Sequence, residues 1–234
     1  MGHQKEMNTT NALDVLTISE KEECLRAKVY IRDFSSATKT LRLQALGQIK
    51  RLSKPVAKVI LKMLLSKETE VLKQVEVLGA LATCNGKADG DRGYLNTYFY
   101  NPEPQLRVAA LRALSKYEDE ASFETLSLAI KDSQPDIRKE AINLMVSIYG
   151  QRALPLLLHL LRDLDDKVRS CVISLCATLE AREAVPVLIT MLTDENSEIQ
   201  KEVSGALKKI TKESKAKTGN EWNLWWMDQY DKSR

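Results

Sequence analysis

Three stretches decide the fold: IKDSQPDIRKEA at residues 130–141, LRDLDDKVRSCV at 161–172 and LTDENSEIQKEV at 192–203. Each starts 31 residues after the one before, and all follow one plan. An aliphatic residue (Ile130, Leu161, Leu192) is followed two positions later by an aspartate (Asp132, Asp163, Asp194). Five positions beyond the aspartate stands a second aliphatic residue (Ile137, Val168, Ile199), then Arg138, Arg169 or Gln200. A short polar side chain between two apolar stretches ends one helix and caps the next by accepting backbone N–H bonds. The unit is helix, polar turn, helix.

Extended outward, the second aliphatic residue becomes an anchor at Leu41, Val71, Leu106, Ile137, Val168 and Ile199, with spacings of 30, 35, 31, 31 and 31. Four residues after it stand Ala45, Val75, Ala110, Ala141, Val172 and Val203. Eleven after it stand Leu52, Ala82, Tyr117, Ile148, Leu179 and Ile210. Positions 0, 4, 7 and 11 share one face of a helix of about 3.6 residues per turn, so each repeat carries a second helix with one buried stripe. Eleven and seven residues before the anchor lie two further apolar columns, Tyr30, Ile60, Leu95, Leu126, Leu157, Leu188 and Phe34, Leu64, Phe99, Ile130, Leu161, Leu192. They define the first helix. In the first three repeats the turn position holds Ser36, Ser66 and Asn101.

Helix pairs this short cannot bury their apolar faces alone, and stacking six of them gives one core built from local contacts. The composition agrees. Apolar residues are 44% of the 234, aromatics only 6%, and nine Gly with six Pro argue against a β-rich or loop-rich chain. No run approaches the ~18 apolar residues of a bilayer-spanning helix, so no membrane partner is expected. The N-terminal MGHQKEMNTTNALDVL has no apolar run of signal-peptide length. Cys24, Cys84, Cys171 and Cys176 form no CxxC pair, and the last two point in different directions on one helix. Four reduced thiols in a cytoplasmic protein are expected.

The pattern resembles the HEAT-repeat family, in the compact form of bacterial HEAT-like proteins and of phycobilisome-lyase-type repeats. The family places Pro in the first helix, Asp in the turn and an aliphatic–Arg pair at the start of the second. Pro155 with Asp163 and Val168-Arg169, and Pro186 with Asp194 and Ile199-Gln200, follow it; Asp132 with Ile137-Arg138 follows it without the Pro. The resemblance implies an all-α fold, a right-handed α-solenoid (an armadillo-type superhelix) of about six two-helix repeats. It also implies a ladder in which turn Asp and Arg bond to neighbouring repeats, assigned here to Asp132, Arg138, Asp163 and Arg169. The expected layout is an N-terminal segment over 1–19, repeats over 20–212 and a capping segment over 213–234. Trp222, Trp225 and Trp226 are all the tryptophans of the chain, and Trp222 with either Trp225 or Trp226 is expected to close the last core layer.

Chemistry is harder to find. The two histidines, His3 and His159, have no second ligand at metal spacing. The stretch CNGKADGDRGY superficially resembles a calcium loop, but the twelfth position counted from Asn85 is Asn96, not the acid required. No GxGxxG, P-loop or nucleophile elbow occurs. No catalytic residue, cofactor, metal or small-molecule substrate is expected. Bilin lyases and alkylpurine DNA glycosylases also use HEAT-like repeats, but no lyase motif is found and the central helices carry no Trp.

That leaves binding. Second helices line the concave surface of such a solenoid, and positions 2, 6 and 9 after each anchor point away from the predicted core. Those 18 positions hold six cations and no acid. The candidate partner-binding residues are Lys50, Lys73, Val77, Val108, Arg112, Lys139, Asn143, Val146, Lys201 and Lys208. Lysines between small and apolar side chains suit an acidic or amphipathic protein segment, so a scaffold or adaptor is the expected function. Nucleic acid is less favoured, because the net charge is only +3 and the face has no aromatic platform. A bilin-lyase-like role is the other alternative.

Overall fold

The computed structural model describes residues 17–35, 38–84, 92–213 and 218–232. The calcium-like stretch 85–91, the turn residue Ser36, His3 and almost all of the N-terminal segment lie outside them. Among the described residues there is no strand. The chain divides into two compact units, Met1–Ser122 and Phe123–Arg234.

The first unit holds α1 (Ile18–Arg26), α2 (Lys28–Phe34), α3 (Lys39–Ile49), α4 (Lys54–Lys67), α5 (Val71–Cys84), α6 (Arg92–Phe99) and α7 (Pro104–Ser115). The division falls inside α8 (Glu120–Ala129). In this unit α2 packs on α3, α4 on α5 and α6 on α7, while the second helices α3, α5 and α7 lie in a row. The second unit repeats the scheme with α9 (Pro135–Tyr149), α11 (Asp166–Thr178) and α13 (Ser197–Thr211) in a row. Its first helices are short. Around Pro155 the segment is α10 (Leu154–Leu157) between 3-10 turns, and around Pro186 it is α12 (Val185–Thr190) between 3-10 turns. A proline without an N–H suits the first turn of a helix but not its interior. The fold is an all-α solenoid of two-helix repeats.

The turns show why aspartate recurs. Asn101, Asp132, Asp163 and Asp194 each accept, through Oδ1, the backbone N–H two residues on, at 2.9 Å. Six residues later, Arg107, Arg138, Arg169 and Gln200 donate to the carbonyl of the same turn residue, at 2.9, 2.8, 2.8 and 2.6 Å. Arg138 then reaches Asp163, and Arg169 reaches Asp194 at 3.0 Å, so the expected ladder is present in repeats four to six. Orphan groups at two helix ends are thereby satisfied at once.

Repeat two departs from the predicted register. Its turn residue is Glu68, not Ser66: Glu68 Oε1 accepts Glu70 N–H at 2.9 Å, and Gln74 Nε2 donates to the Glu68 carbonyl at 2.8 Å. The reason is that α4 runs three residues past Leu64, whereas α6 ends on Phe99, its counterpart. Everything later in the repeat shifts by two. Val77, Leu78 and Leu81 therefore occupy the core columns of Ala110, Leu111 and Leu114, while Leu72 is 65% exposed.

A second correction concerns the stripe itself. In α9 the fully buried residues are Ile137, Ala141, Ile142 and Met145; in α11 they are Val168, Val172, Ile173 and Cys176. In these two helices positions 4, 5 and 8 replace 4, 7 and 11, which turns the buried face by roughly 60° at about 3.6 residues per turn; in α7 and α13 the predicted positions 7 and 11 are buried as expected, as Ala113 and Tyr117 and as Ala206 and Ile210. In repeat one the predicted anchor Leu41 is 45% exposed, and Arg42 is buried against Glu76 instead, with Nε 2.9 Å from Oε2.

The C-terminal helix α14 (Gly219–Lys232) packs on α12. Trp222 is completely buried and meets the edge of Trp225 at 5.8 Å; Trp225 and Trp226 are half-buried. One apolar run, Pro135–Arg162, has the length and composition of a membrane span. It is broken at Gly150, whose φ of 54° ends α9, and Ile142, Met145, Leu157 and Leu161 from it are core residues.

Candidate partner-binding face

Burial and ion pairing decide which predicted residues are reachable. In the first unit Lys50, the C-cap of α3, is exposed, as is Arg112 on α7, and Val108 is half-buried. Lys73 is half-buried and not available as an open charge: its Nζ lies 3.0 Å from Glu70 Oε2 and 3.8 Å from Glu68 Oε2. Val77 is fully buried, because the register shift makes it a core residue, so it lines no accessible face. Ala80, Ser115 and Ala177 at the predicted outward position 9 are buried as well.

In the second unit Asn143, Lys201 and Lys208 are exposed, and Lys139 and Val146 half-buried. Two adjoining depressions, of about 420 and 330 Å³, run along α11 and α13 and share Ser170 and Glu202. Their floor is small or apolar, with Ser170, Ser174, Ala177, Ile199 and Ala206. Lys139 stands at one edge and Glu202 at another, and among the described residues neither has an ion-pair partner. Of the other rim charges, Lys167 is exposed, Asp166 accepts from Asn196 Nδ2 at 2.6 Å and Arg169 Nη2 at 2.5 Å, and Glu198 holds Lys201 at 2.7 Å.

Glu202 and Cys171 were missed in the sequence because they sit at position 3, which the predicted stripe placed beside the core. Turning the stripe brings that column outward on α11, and on α13 Glu202 is exposed beside a stripe buried as predicted. Glu202 also ends the expectation of an acid-free face, since it belongs to the groove.

Nothing in the groove resembles a nucleophile. The Cys171 thiol donates to Asn143 Oδ1 at 3.5 Å, and burial pushes its pKa up against the opposing pull of Lys139. Burial likewise raises Cys24, Cys84 and Cys176, the last to about 12, so their thiolate fractions near neutral pH are small. Among the described residues no group of three His, Cys, Asp or Glu side chains is placed to hold a metal.

Paired helices joined by Asx turns, with an Arg–Asp ladder between repeats, define the class as a helical repeat protein. The family profile described as HEAT repeats matches residues 95–176 and 157–218, together more than half of the chain. The chain belongs to the HEAT-repeat family. Comparison with curated proteins gives no match. Among solved structures, the complex of CpcE and CpcF of phycocyanin lyase from Nostoc sp. PCC7120 is similar at 17% identity, over 79% of this chain and 76% of that one, with a TM-score of 0.47. A designed armadillo repeat protein in complex with the peptide (KR)4 is similar at 17% identity, over 77% and 98% of the two chains, with a TM-score of 0.48. An engineered protein is similar at 18% identity, over 87% and 96%, with a TM-score of 0.43.

Proposed function

We propose that the chain is a non-catalytic scaffold that receives a segment of another protein along the exposed face of α9, α11 and α13. The observation that carries this reading is the groove floored by Ser170, Ser174, Ala177 and Ala206, with Lys139 and Glu202 at its edges, neither of which has an ion-pair partner among the described residues. Small side chains let a partner approach the helices closely, and two opposite charges select its orientation. The occupant this favours is an amphipathic segment carrying both a carboxylate for Lys139 and a cation for Glu202, rather than a purely acidic one.

Photo-crosslinking amino acids at Ser170 and Ser174, followed by mass spectrometry of adducts formed in the native host, test it. The expected result is one protein captured at both positions. Its yield falls in K139E and in E202K, and recovers when the partner's contacting charges are reversed to match. Capture of nucleic acid or of a bilin, or of no partner at either position, removes the proposal.

A further inference from the structure

The first two helices carry a surface of a different kind. Between them Ala27 stays in the right-handed helical region, with φ −73° and ψ −4°. Its N–H donates to the Glu23 carbonyl at 3.0 Å, and its carbonyl accepts the Ile31 N–H at 3.1 Å. One helical course thus continues from Ile18 to Phe34, with α1 packed on α4 and α2 on α3. The inner side of that course holds the fully buried Ala27 and Phe34, with Cys24, Tyr30 and Ile31 half-buried beside them.

The outer side is apolar as well. Ile18 and Leu25 each stand nine residues before one of the two buried residues, which at about 3.6 residues per turn places them on the opposite side. They are 81% and 60% exposed, and Val29, on the same line as Ile18, is 49% exposed. A helix that is apolar on two opposite sides suits a place between two packed layers, and the terminal layer of a repeat array ordinarily turns a polar side outward. Among the described residues nothing covers this line.

The charge beside it is one-sided. Lys21 and Lys28 flank the line seven residues apart, a rise of about 10 Å. Both are exposed, and among the described residues neither has an ion-pair partner. The four acids of the stretch are already engaged. Glu20 accepts the Thr17 N–H at 2.8 Å, and Glu23 accepts from Ser53 Oγ at 2.6 Å. Glu22 lies 3.9 Å from Arg26, and Asp33 lies 3.2 Å from Arg32.

We propose that this outer line docks an amphipathic acidic helix from a protein partner. Its apolar side chains rest on Ile18, Leu25 and Val29, and its carboxylates, at seven-residue spacing on one flank, meet Lys21 and Lys28. Seven residues make nearly two turns, so a helix lying alongside brings one carboxylate to each lysine from a single side. The lysine stems lie along the edge of the apolar strip while their heads reach the charge. A second copy of the chain fits less well, because it brings two more lysines and only acids that are already engaged. A nucleic-acid backbone has nothing to place on the apolar line.

The test uses the full chain and a fluorescent peptide of about five helical turns, with Leu along one line and Glu at seven-residue spacing on one flank. The control is a scrambled peptide of equal composition. The patterned peptide is expected to bind roughly tenfold more tightly, because only it presents both rows together. L25S is expected to weaken it by roughly tenfold with an unchanged helical circular-dichroism signal, since that side chain is already exposed. K21E/K28E should weaken it similarly and should instead prefer a peptide with Lys in place of Glu, a reversal that a folding defect does not produce. A photo-reactive amino acid at position 29 should crosslink to the patterned peptide. The proposal is overturned by equal binding of the two peptides, by no effect of L25S or of the lysine reversal, or by no binding at all. Crosslinking from position 29 to a second copy, or to residues 1–16 of the same chain, in place of the peptide overturns it too.

Discussion

Arg138 on α9 holds Asp163 of the next turn through two parallel bonds, Nε to Oδ2 at 2.8 Å and Nη2 to Oδ1 at 2.5 Å. Both side chains are mostly buried, at 13% and 7% exposure. The same guanidinium donates to the Asp132 carbonyl, so one side chain ties a turn to its own helix and to the following repeat.

Breaking a buried pair leaves a charge without compensation, whereas replacing both members with apolar groups removes the cost and the gain together. D163A is therefore expected to lose about 3–5 kcal/mol. The double variant R138M/D163L should lose clearly less than the sum of the single ones. Urea denaturation of the four proteins in a double-mutant cycle gives the answer. Additive losses would mean that the pair is not a unit.

The register of repeat two makes a sharper demand. V77A removes buried methyl groups from a closed site and should cost about 2 kcal/mol. L72A, at a position 65% exposed, should change stability by less than about 0.5 kcal/mol. The predicted sequence columns, with Val71 as anchor and Val77 at outward position 6, require V77A to be about as mild as L72A. The two midpoints in urea decide between them.

How much of this could be read beforehand follows from particular residues. Repeats four to six were legible because Asp132, Asp163 and Asp194 with Arg138, Arg169 and Gln200 do one job at one spacing. Repeat two performs the same bonds with Glu68 and Gln74, longer side chains that no short-polar pattern selects. The facing of the second helices was illegible for another reason. Leu144 and Met145, like Leu175 and Cys176, are adjacent and both apolar, so hydrophobic period alone does not say which is innermost; the structure buries Met145 and Cys176 fully and leaves their neighbours half-buried. The face inherited both errors: Cys171 was overlooked through the facing of α11, and Val77 was included through the register of repeat two.

Cys176 supplies a pH dependence. Burial raises its thiol from the ordinary 9.0 to about 12, so the native state keeps the proton after the unfolded chain has released it. Its contribution is fully present below about pH 9 and is lost as pH rises from there towards about 12. The stability difference between the protein and C176A should therefore shrink between about pH 8 and about pH 10.5, measured in urea at each pH. In the native state below that window, an alkylating reagent should reach the half-exposed Cys24 and Cys171 and leave Cys84 and Cys176 unmodified. Mass spectrometry of the labelled peptides checks this, and rapid native labelling of Cys176 would contradict its burial.

Trp222 tests whether the C-terminal helix closes the solenoid. It is completely buried, and among the described residues its indole Nε1–H finds no hydrogen-bond partner. Its value is therefore in packing, and the polar end of the ring subtracts from it. W222A should cost about 3–5 kcal/mol through the cavity it leaves. W222F keeps most of the ring while removing the unsatisfied donor, so its loss should be much smaller than that of W222A. W225A and W226A, at half-buried positions, should fall between W222F and W222A. Thermal denaturation gives the ranking, and tryptophan emission gives an independent reading: deletion of Trp222 should remove the most blue-shifted component and leave a red-shifted remainder. A W222A protein as stable as the parent would mean that α14 lies against the last repeat without closing its core.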